Sequence, residues 1–175
     1  MLVSYLTRLS STWVKGLGRE KVPVLEEVRL PLQISPMDLD IYGHVNNGRY
    51  LTLMDFGRFA HTQRTGMLKV MLQRRWIPVL GSATVSYFRE LKAFDRIELV
   101  TRLACWDEKW FFFEHRFERK GTVCALGAVK GVCKHRGRTV PPSELSAAVG
   151  YEGPSPEFPE FISRWNDAQP RRAAS

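Results

Sequence analysis

Residues 38–50 read DLDIYGHVNNGRY, a polar loop that runs directly into a helical pattern. From about Asn47 to Thr65 the apolar positions recur with a period near 3.6, and Gly66 ends the pattern. Gly57 and Ala60 are small for a buried stripe, which predicts a helix lying close against a flat sheet.

Strand patterns surround this helix. Residues 27–34 alternate apolar and polar side chains, and Pro31 indicates an edge strand. A short helix is predicted near 67–75, and after it the period changes to two over four successive stretches, 79–91, 96–106, 110–119 and 123–135. Because tight turns separate the later stretches, the sequence predicts an α+β fold in which one long central helix is wrapped by a curved antiparallel sheet.

The stretch 110–119 carries apolar side chains on both of its faces. This pattern predicts a strand that is covered on both sides or lies in an interface. The domain proper is predicted at 25–138, preceded by an amphipathic extension over 1–24 and followed by a Pro-rich tail with short helices over 139–175. One edge of the sheet is left open, and a second copy of the chain would cover it.

Composition narrows the class of protein. The chain has 175 residues, a net charge of +8 and 44% hydrophobic residues, which excludes a polytopic membrane protein and argues against general disorder. Three widely spaced cysteines favour a reducing compartment, so a cytoplasmic location is expected. No nucleic-acid-binding motif accompanies the basic excess, so no nucleic-acid partner is expected. Residues 1–20 are expected to cap the domain, with at most a weak contact to a membrane surface.

The loop at 38–50 concentrates reactive groups. Two carboxylates, one imidazole and two amides precede a helix N-terminus, whose free N–H groups can stabilise an oxyanion. A carboxylate there can act as nucleophile or as general base. The alternative is structural: the aspartates form Asx turns, the asparagines cap the helix and the histidine packs in a turn.

The same loop resembles the active-site loop of the hotdog-fold thioesterases, the 4-hydroxybenzoyl-CoA thioesterase-like family. The family's Asp-x-Asp-x-x-Gly pattern before its long helix is matched by Asp38, Asp40 and Gly43. The continuation Gly-His-Val-Asn-Asn-x-x-Tyr also resembles the related acyl-carrier-protein thioesterases. The order of elements extends the resemblance to about residues 25–135.

The resemblance implies roles for individual residues. Asp40 matches the catalytic carboxylate, the backbone N–H of Asn47 matches the helix-end donor to the thioester carbonyl, and His44 occupies a position that is catalytic in the carrier-protein branch. Tyr42 stands where that branch has Asn, which favours a coenzyme A thioester as substrate. Asp38 is expected to orient the loop.

Substrate contacts are expected from Tyr42, Gly43, Tyr50 and Arg89, the last toward the phosphates of coenzyme A. His115, among phenylalanines, is expected to be a core histidine, and the three cysteines are expected to be buried. Glu90 or Asp95 could supply a second carboxylate, but the sequence does not place either near the loop.

The sequence therefore predicts an acyl-CoA or aryl-CoA thioester hydrolase without metal or cofactor, working as a homodimer or homotetramer with the site at a subunit interface. Two alternatives stay open. One is a hotdog-fold hydratase or dehydratase, although its typical Pro-rich neighbourhood around the histidine is missing. The other is a non-catalytic module that binds acyl thioesters.

Overall fold

The computed structural model describes residues 2–16, 18 and 20–169. Met1, Leu17, Arg19 and residues 170–175, which fall within the predicted extension and tail, lie outside the described residues. The elements along the chain are α1 (Leu2–Gly16), β1 (Val28–Gln33), a 3-10 turn (Pro36–Asp38), α2 (Asn47–Arg64), α3 (Met67–Gln73), β2 (Ile77–Tyr87), β3 (Arg96–Trp106), β4 (Phe111–Arg119), β5 (Thr122–His135), β6 (Arg138–Val140), α4 (Pro142–Ala148) and α5 (Glu160–Asp167).

The strands form one antiparallel sheet in the order β1-β3-β4-β5-β2, and β6 pairs with β5. The edges of the main path are β1, which contains Pro31 as predicted, and β2. The hairpin between β4 and β5 turns at Lys120 and Gly121, whose φ angles are 50° and 77°. Two consecutive positive φ values are typical of the tight turns that match strand twist.

The long helix α2 lies against the inner face of the sheet. It buries an apolar stripe that includes Leu53, Met54 and Phe56. A Cβ at Gly57 would collide with Thr101 Oγ1 and Leu99 on β3, so only glycine permits this close approach. Fully burying a side chain of the size of Leu53 stabilises the fold by about 1.5–3 kcal/mol. The predicted close packing of helix on sheet is confirmed.

The outer face of the sheet carries a smaller apolar cluster. Phe112 on β4 is fully buried there, beneath Ile162 of α5 and the ring of Phe158, which lies 5.2 Å from the Phe112 ring. The strand pattern at 110–119 is thus explained, because α2 covers one side and the C-terminal segment covers the other.

Two details differ from the expectation. The strand predicted at 79–91 is β2, Ile77–Tyr87, and it ends early because the N–H groups of Phe88 and Arg89 both donate to the Cys124 carbonyl. The short strand β6 was not predicted. The short helices expected in the Pro-rich tail are α4 and α5, whereas the domain boundaries at residues 24 and 138 stay predictions.

All three cysteines are buried and unpaired, as expected. Burial raises the pKa of the Cys105 thiol to about 12 and that of Cys133 to about 11, which disfavours their thiolates at neutral pH. Within the described part of the chain, no helix combines the length and the apolar character needed to cross a bilayer.

Candidate active site

The loop before α2 folds into two turns. The first, residues 35–38, contains the 3-10 turn, and the second, residues 40–44, is a small hairpin closed by a bridge between Leu39 and Val45. In the second turn the Asp40 N–H donates to the His44 carbonyl at 2.9 Å and the Gly43 N–H donates to the Asp40 carbonyl at 3.1 Å. Gly43 has a φ of 81°, which explains why a glycine follows the aspartates at this spacing.

Asp40 presents its carboxylate at the surface of the second turn. Oδ1 accepts the Tyr42 N–H at 2.9 Å, and Oδ2 lies 3.4 Å from Nδ1 of His44. Both side chains are partly exposed, 22% for Asp40 and 39% for His44. The Tyr42 ring stacks on His44 with centroids 6.0 Å apart. A carboxylate and an imidazole are therefore paired where a ligand can reach them.

Asp38 is buried in the first turn. Its Oδ2 accepts the Ser35 N–H at 2.9 Å and Arg8 Nη2 at 2.7 Å, and its backbone carbonyl accepts the Asn46 N–H at 2.9 Å. Ser35 Oγ in turn accepts the Met37 N–H, which completes a capping box. All of these contacts support the loop, in agreement with the orienting role expected for Asp38.

The start of α2 lies directly after the second turn. The Asn46 side chain caps the helix by accepting the Gly48 N–H at 2.9 Å. The Asn47 N–H has no acceptor among the described residues, while the Asn47 carbonyl accepts the hydroxyl of Tyr87 at 3.2 Å. The end of β2 is thereby tied to the helix start.

A cleft of about 300 Å³ opens beside this helix start. Four of the predicted site residues line it: His44, Asn47, Tyr50 and Arg89. Asp40 does not line the cleft itself, but its Oδ2 lies 3.4 Å from Nδ1 of His44, which does. Tyr42 and Gly43, in the second turn, are not lining residues either. The remaining lining residues are Val45, Tyr87, Phe88, Glu90 and Leu91.

Tyr50 forms the floor of the cleft and is only 3% exposed. Its ring meets those of Tyr87 and Phe117 edge to face, at 4.9 Å and 5.0 Å. Burial raises the pKa of the Tyr50 hydroxyl to about 12, so Tyr50 stays neutral and can contribute shape and a hydrogen bond but no negative charge.

The sequence does not single out Tyr87 and leaves the position of Glu90 open, and both line the cleft. The link of Tyr87 to Asn47 depends on the pairing of β2 with β5. Glu90 lies close enough to His44 for their charges to interact, and Lys92, 2.8 Å away, lowers the pKa of the Glu90 carboxyl. Asp95, the other carboxylate considered, instead pairs with Arg119.

A second cavity, of about 420 Å³, lies between the helices and the inner face of the sheet. It is mainly apolar, and Tyr5 and Leu9 of α1 form part of its wall, together with Met67, Met71, Phe111, Phe113 and Leu145 among others. Its size is within the range of small-molecule pockets. It shares none of its lining residues with the cleft.

Polar groups are also buried under α2. His115 is fully buried, with Nδ1 at 2.9 Å from Thr101 Oγ1 and Nε2 at 3.4 Å from Arg58, as expected for a core histidine. Burial lowers the pKa of His61 to about 4, and neither of its ring nitrogens makes a hydrogen bond of good geometry. Both rings are therefore neutral at physiological pH.

No group of three or more histidine, cysteine or acidic side chains suited to a metal ion occurs within residues 2–16, 18 and 20–169. The polar groups at the cleft include the Asp40–His44 pair, the start of α2 and Glu90.

The sheet, its single long helix and the loop at the helix start define a hotdog fold with a polar cleft. The sequence matches the thioesterase-like superfamily over residues 34–166, which is more than half of the chain. The protein belongs to this superfamily.

Two relatives place the chain within it. Protein THEM6 of Xenopus laevis is 34% identical over 135 residues, which cover 75% of this chain and 63% of that protein. A probable thioesterase of Saccharomyces cerevisiae is 30% identical over 141 residues, covering 78% and 61% respectively. The chain thus spans less than two thirds of the length of either relative.

A solved structure has the same fold. A thioesterase from Thermus thermophilus, crystallised with coenzyme A and Zn, superposes with a TM-score of 0.61 at 25% identity. The alignment covers 70% of this chain and 90% of that protein. The α+β hotdog fold expected from the sequence is confirmed.

Proposed function

We propose that the protein hydrolyses acyl-CoA or aryl-CoA thioesters, releasing a free acid and coenzyme A. The observation that carries the proposal is the second turn, where the partly exposed carboxylate of Asp40 stands beside His44, just before the unengaged N–H of Asn47. A reactive carboxylate next to a helix-end donor is what thioester hydrolysis requires.

In the proposed reaction the thioester carbonyl oxygen accepts the Asn47 N–H. Asp40 then attacks the carbonyl carbon, or takes a proton from a water molecule that attacks it. The negative charge that develops on the oxygen is stabilised by the Asn47 N–H and the positive end of α2. Collapse of the tetrahedral intermediate breaks the carbon–sulfur bond and releases the thiolate of coenzyme A. If water attacked, the free acid forms directly and the proton held by Asp40 passes to the thiolate. If Asp40 attacked, the acyl group stays on Asp40 as a mixed anhydride; a water molecule hydrolyses it to the free acid and the Asp40 carboxylate, and the proton released by that water neutralises the thiolate.

His44 is assigned to the same step as the partner of Asp40. Its Nδ1 faces Asp40 Oδ2, so the imidazole can orient the carboxylate and pass a proton toward the leaving group. Arg89 is exposed at the rim of the cleft and is assigned to the phosphates of coenzyme A. Tyr50 and Tyr87 provide aromatic surface for the acyl or aryl part.

The test is thiol release from a panel of short, medium, long and aryl CoA esters, measured with the wild type and with Asp40→Asn. We expect one class of ester to be hydrolysed and Asp40→Asn to lower kcat/KM by about 10²–10⁴-fold. Asp167→Asn, on α5 and outside the cleft lining, is the matched control and should retain full activity. Equal turnover by Asp40→Asn and the wild type would falsify the assignment.

The same panel separates the alternatives. Loss of water from a 3-hydroxyacyl-CoA without release of free thiol would identify a hydratase or dehydratase. Tight binding of acyl-CoA with no turnover at any chain length would identify a binding module. Either result rules out hydrolysis as the activity.

We further propose that the working form is a homodimer joined along β2. This strand is an edge of the sheet, and its apolar side chains Ile77, Val79 and Leu80 are 64%, 45% and 54% exposed. Open apolar edges favour pairing with another strand. Sedimentation should give a dimer or a dimer of dimers, and Leu80→Lys should shift it toward monomer. Gln33→Lys, at the opposite edge on β1, should not.

A cytoplasmic location is proposed from the cysteines. All three are buried and unpaired, a pattern that suits a reducing compartment. A fluorescent fusion of the full-length protein followed by cell fractionation tests this, and recovery in an oxidising compartment would overturn it.

A further inference from the structure

The N-terminal helix α1 reaches the loop through one side chain. Arg8 Nη2 donates to Asp38 Oδ2 at 2.7 Å and to the Gln33 carbonyl at 3.3 Å. The Asp38 side chain is 5% exposed and that of Arg8 is 22% exposed, so water screens this ion pair only in part. Arg49, the next nearest cation, keeps its Nε 3.8 Å from Asp38 Oδ1.

The position of α1 is fixed independently of the loop. The Tyr5 ring lies 5.1 Å from that of Phe56, and the Trp13 ring lies 5.7 Å from that of Phe59. Gln63 Nε2 also donates to the Trp13 carbonyl at 3.0 Å. Since these contacts hold α1 on α2, Arg8 is presented to Asp38 from a rigid support.

Asp38 connects Arg8 to both groups assigned to the reaction. Its carbonyl accepts the N–H of Asn46, the residue that caps α2 and immediately precedes Asn47. On its other side the chain passes through Leu39, which is bridged to Val45, into Asp40. A displacement of Asp38 would therefore move the carboxylate and the helix-end donor relative to each other.

We propose that Arg8 is a positioning residue of the active site, which makes α1 a working part of the enzyme and not merely a cover on the domain. This inference rests on the proposed thioesterase activity. Without Arg8, the carboxylate of Asp38 remains buried, and the more distant Arg49 is its one counter-charge among the described residues, so the first turn rearranges to reach water. The second turn then departs from its reactive geometry.

The kinetic test uses Arg8→Gln and Arg8→Lys. Because a misplacement of about 1 Å can cost about 10²-fold in rate, we expect Arg8→Gln to lower kcat by about 10–100-fold while KM changes by less than about threefold. Arg8→Lys keeps the positive charge and should restore much of kcat. Ethylguanidinium added at low millimolar concentration to Arg8→Ala should do the same, and an equal concentration of sodium chloride should not.

Arg64→Gln is the matched control. Arg64 lies at the end of α2 and binds the N-terminal segment through the Glu20 carbonyl at 2.9 Å, without a contact to the loop. It should keep the kcat of the wild type. If Arg64→Gln, Arg8→Gln and Arg8→Lys all lose the same activity, the effect is a general loosening of the N-terminal segment from α2 and the positioning role is wrong.

Hydrogen–deuterium exchange provides a measure that does not depend on activity. Peptides covering 35–46 should exchange faster in Arg8→Gln than in the wild type, and at the wild-type rate in Arg64→Gln. If the wild type hydrolyses no CoA ester, the proposed function fails, but the exchange result still decides whether Arg8 orders the loop. Unchanged exchange in Arg8→Gln overturns the inference.

Discussion

The two turns of the loop before α2 each hold one aspartate, and the two carboxylates lie in different surroundings. Asp38, in the first turn, is buried and bound by Arg8 and the Ser35 N–H. Asp40, in the second turn, is partly exposed, and its partners among the described residues belong to its own turn, the Tyr42 N–H and His44. The buried carboxylate supports the loop through its contacts, and the partly exposed carboxylate is the one to which the proposed function assigns the chemistry.

The largest effect expected outside catalysis is on Asp38. Asp38→Asn removes the charge that pairs with Arg8, and we expect the free energy of unfolding to fall by about 2–3 kcal/mol. Asp40→Asn should change it by about 0.5 kcal/mol or less, since Asn can still accept the Tyr42 N–H. Urea unfolding of both variants measures this. Equal losses of stability would remove the distinction between the turns.

The stability of the core under α2 is predicted to depend on pH. The folded-state pKa of His61 is about 4, below its ordinary value of 6.5, so the unfolded chain takes up a proton first as the pH falls. The free energy of unfolding should therefore be highest above pH 6.5 and decrease below it by about 1.4 kcal/mol per pH unit from this residue, down to about pH 4.

His61→Leu should reduce this pH dependence by about 2 kcal/mol between pH 7 and pH 5, measured by urea unfolding at both values. It should cost little stability at pH 7, because the His61 ring nitrogens lack good hydrogen bonds. His115 is also buried, and burial and Arg58 lower its pKa. His61→Leu should therefore keep a pH dependence of the same sign, smaller than that of the wild type. An unchanged pH dependence in His61→Leu contradicts the prediction.

Tyr87→Phe tests whether the helix start belongs with the second turn. The change removes the hydroxyl that donates to the Asn47 carbonyl. We expect the free energy of unfolding to fall by about 1 kcal/mol and kcat to fall by up to about tenfold. Tyr151→Phe is the matched control, because its hydroxyl donates to the Pro154 carbonyl at 2.9 Å, away from the cleft. Thiol release gives kcat for both variants. An equal loss of kcat in the two would show that the Tyr87 hydroxyl has no particular role in the site.

The smallest effect is expected at the exposed rim of the cleft. Arg89→Gln should raise KM for CoA esters by a few fold, about 1 kcal/mol or less, without changing kcat. Higher salt should raise the KM of the wild type and narrow its difference from Arg89→Gln, since screening at 0.1 M acts over about 10 Å. Lys69→Gln, on the exposed side of α3, is the control. A KM that does not respond to Arg89→Gln assigns the phosphates to other residues.

Much of this fold follows from local patterns. The bounds of α2 and the strands β3, β4 and β5 agree with the sequence within about two residues, because their apolar periods are long and are interrupted by clear turn residues. The sequence predicts β2 as far as residue 91, whereas the strand ends at Tyr87. The strand stops there because of a shared acceptor on β5, which is a long-range feature.

The sequence could predict only those site residues that lie close together along the chain. Asp40, His44 and Asn47 fall within eight residues, so a motif can find them together. The contacts made by Arg8, Tyr87 and Glu90 join segments 30 or more residues apart, and the sequence contains no signal that pairs them. The packing of α5 on the outer face of the sheet was likewise not predictable, because α5 is a short helix in a Pro-rich segment.

The two edges of the sheet have a consequence for the size of any assembly. At one edge β1 is only six residues long and contains Pro31, which has no N–H to offer a neighbouring strand. At the other, β2 has eleven residues and an apolar surface. A sheet with one blocked edge and one open edge can add a single neighbour through strand pairing. If the proposed pairing through β2 forms, growth by this route ends at two chains, because Pro31 disfavours pairing at the other edge.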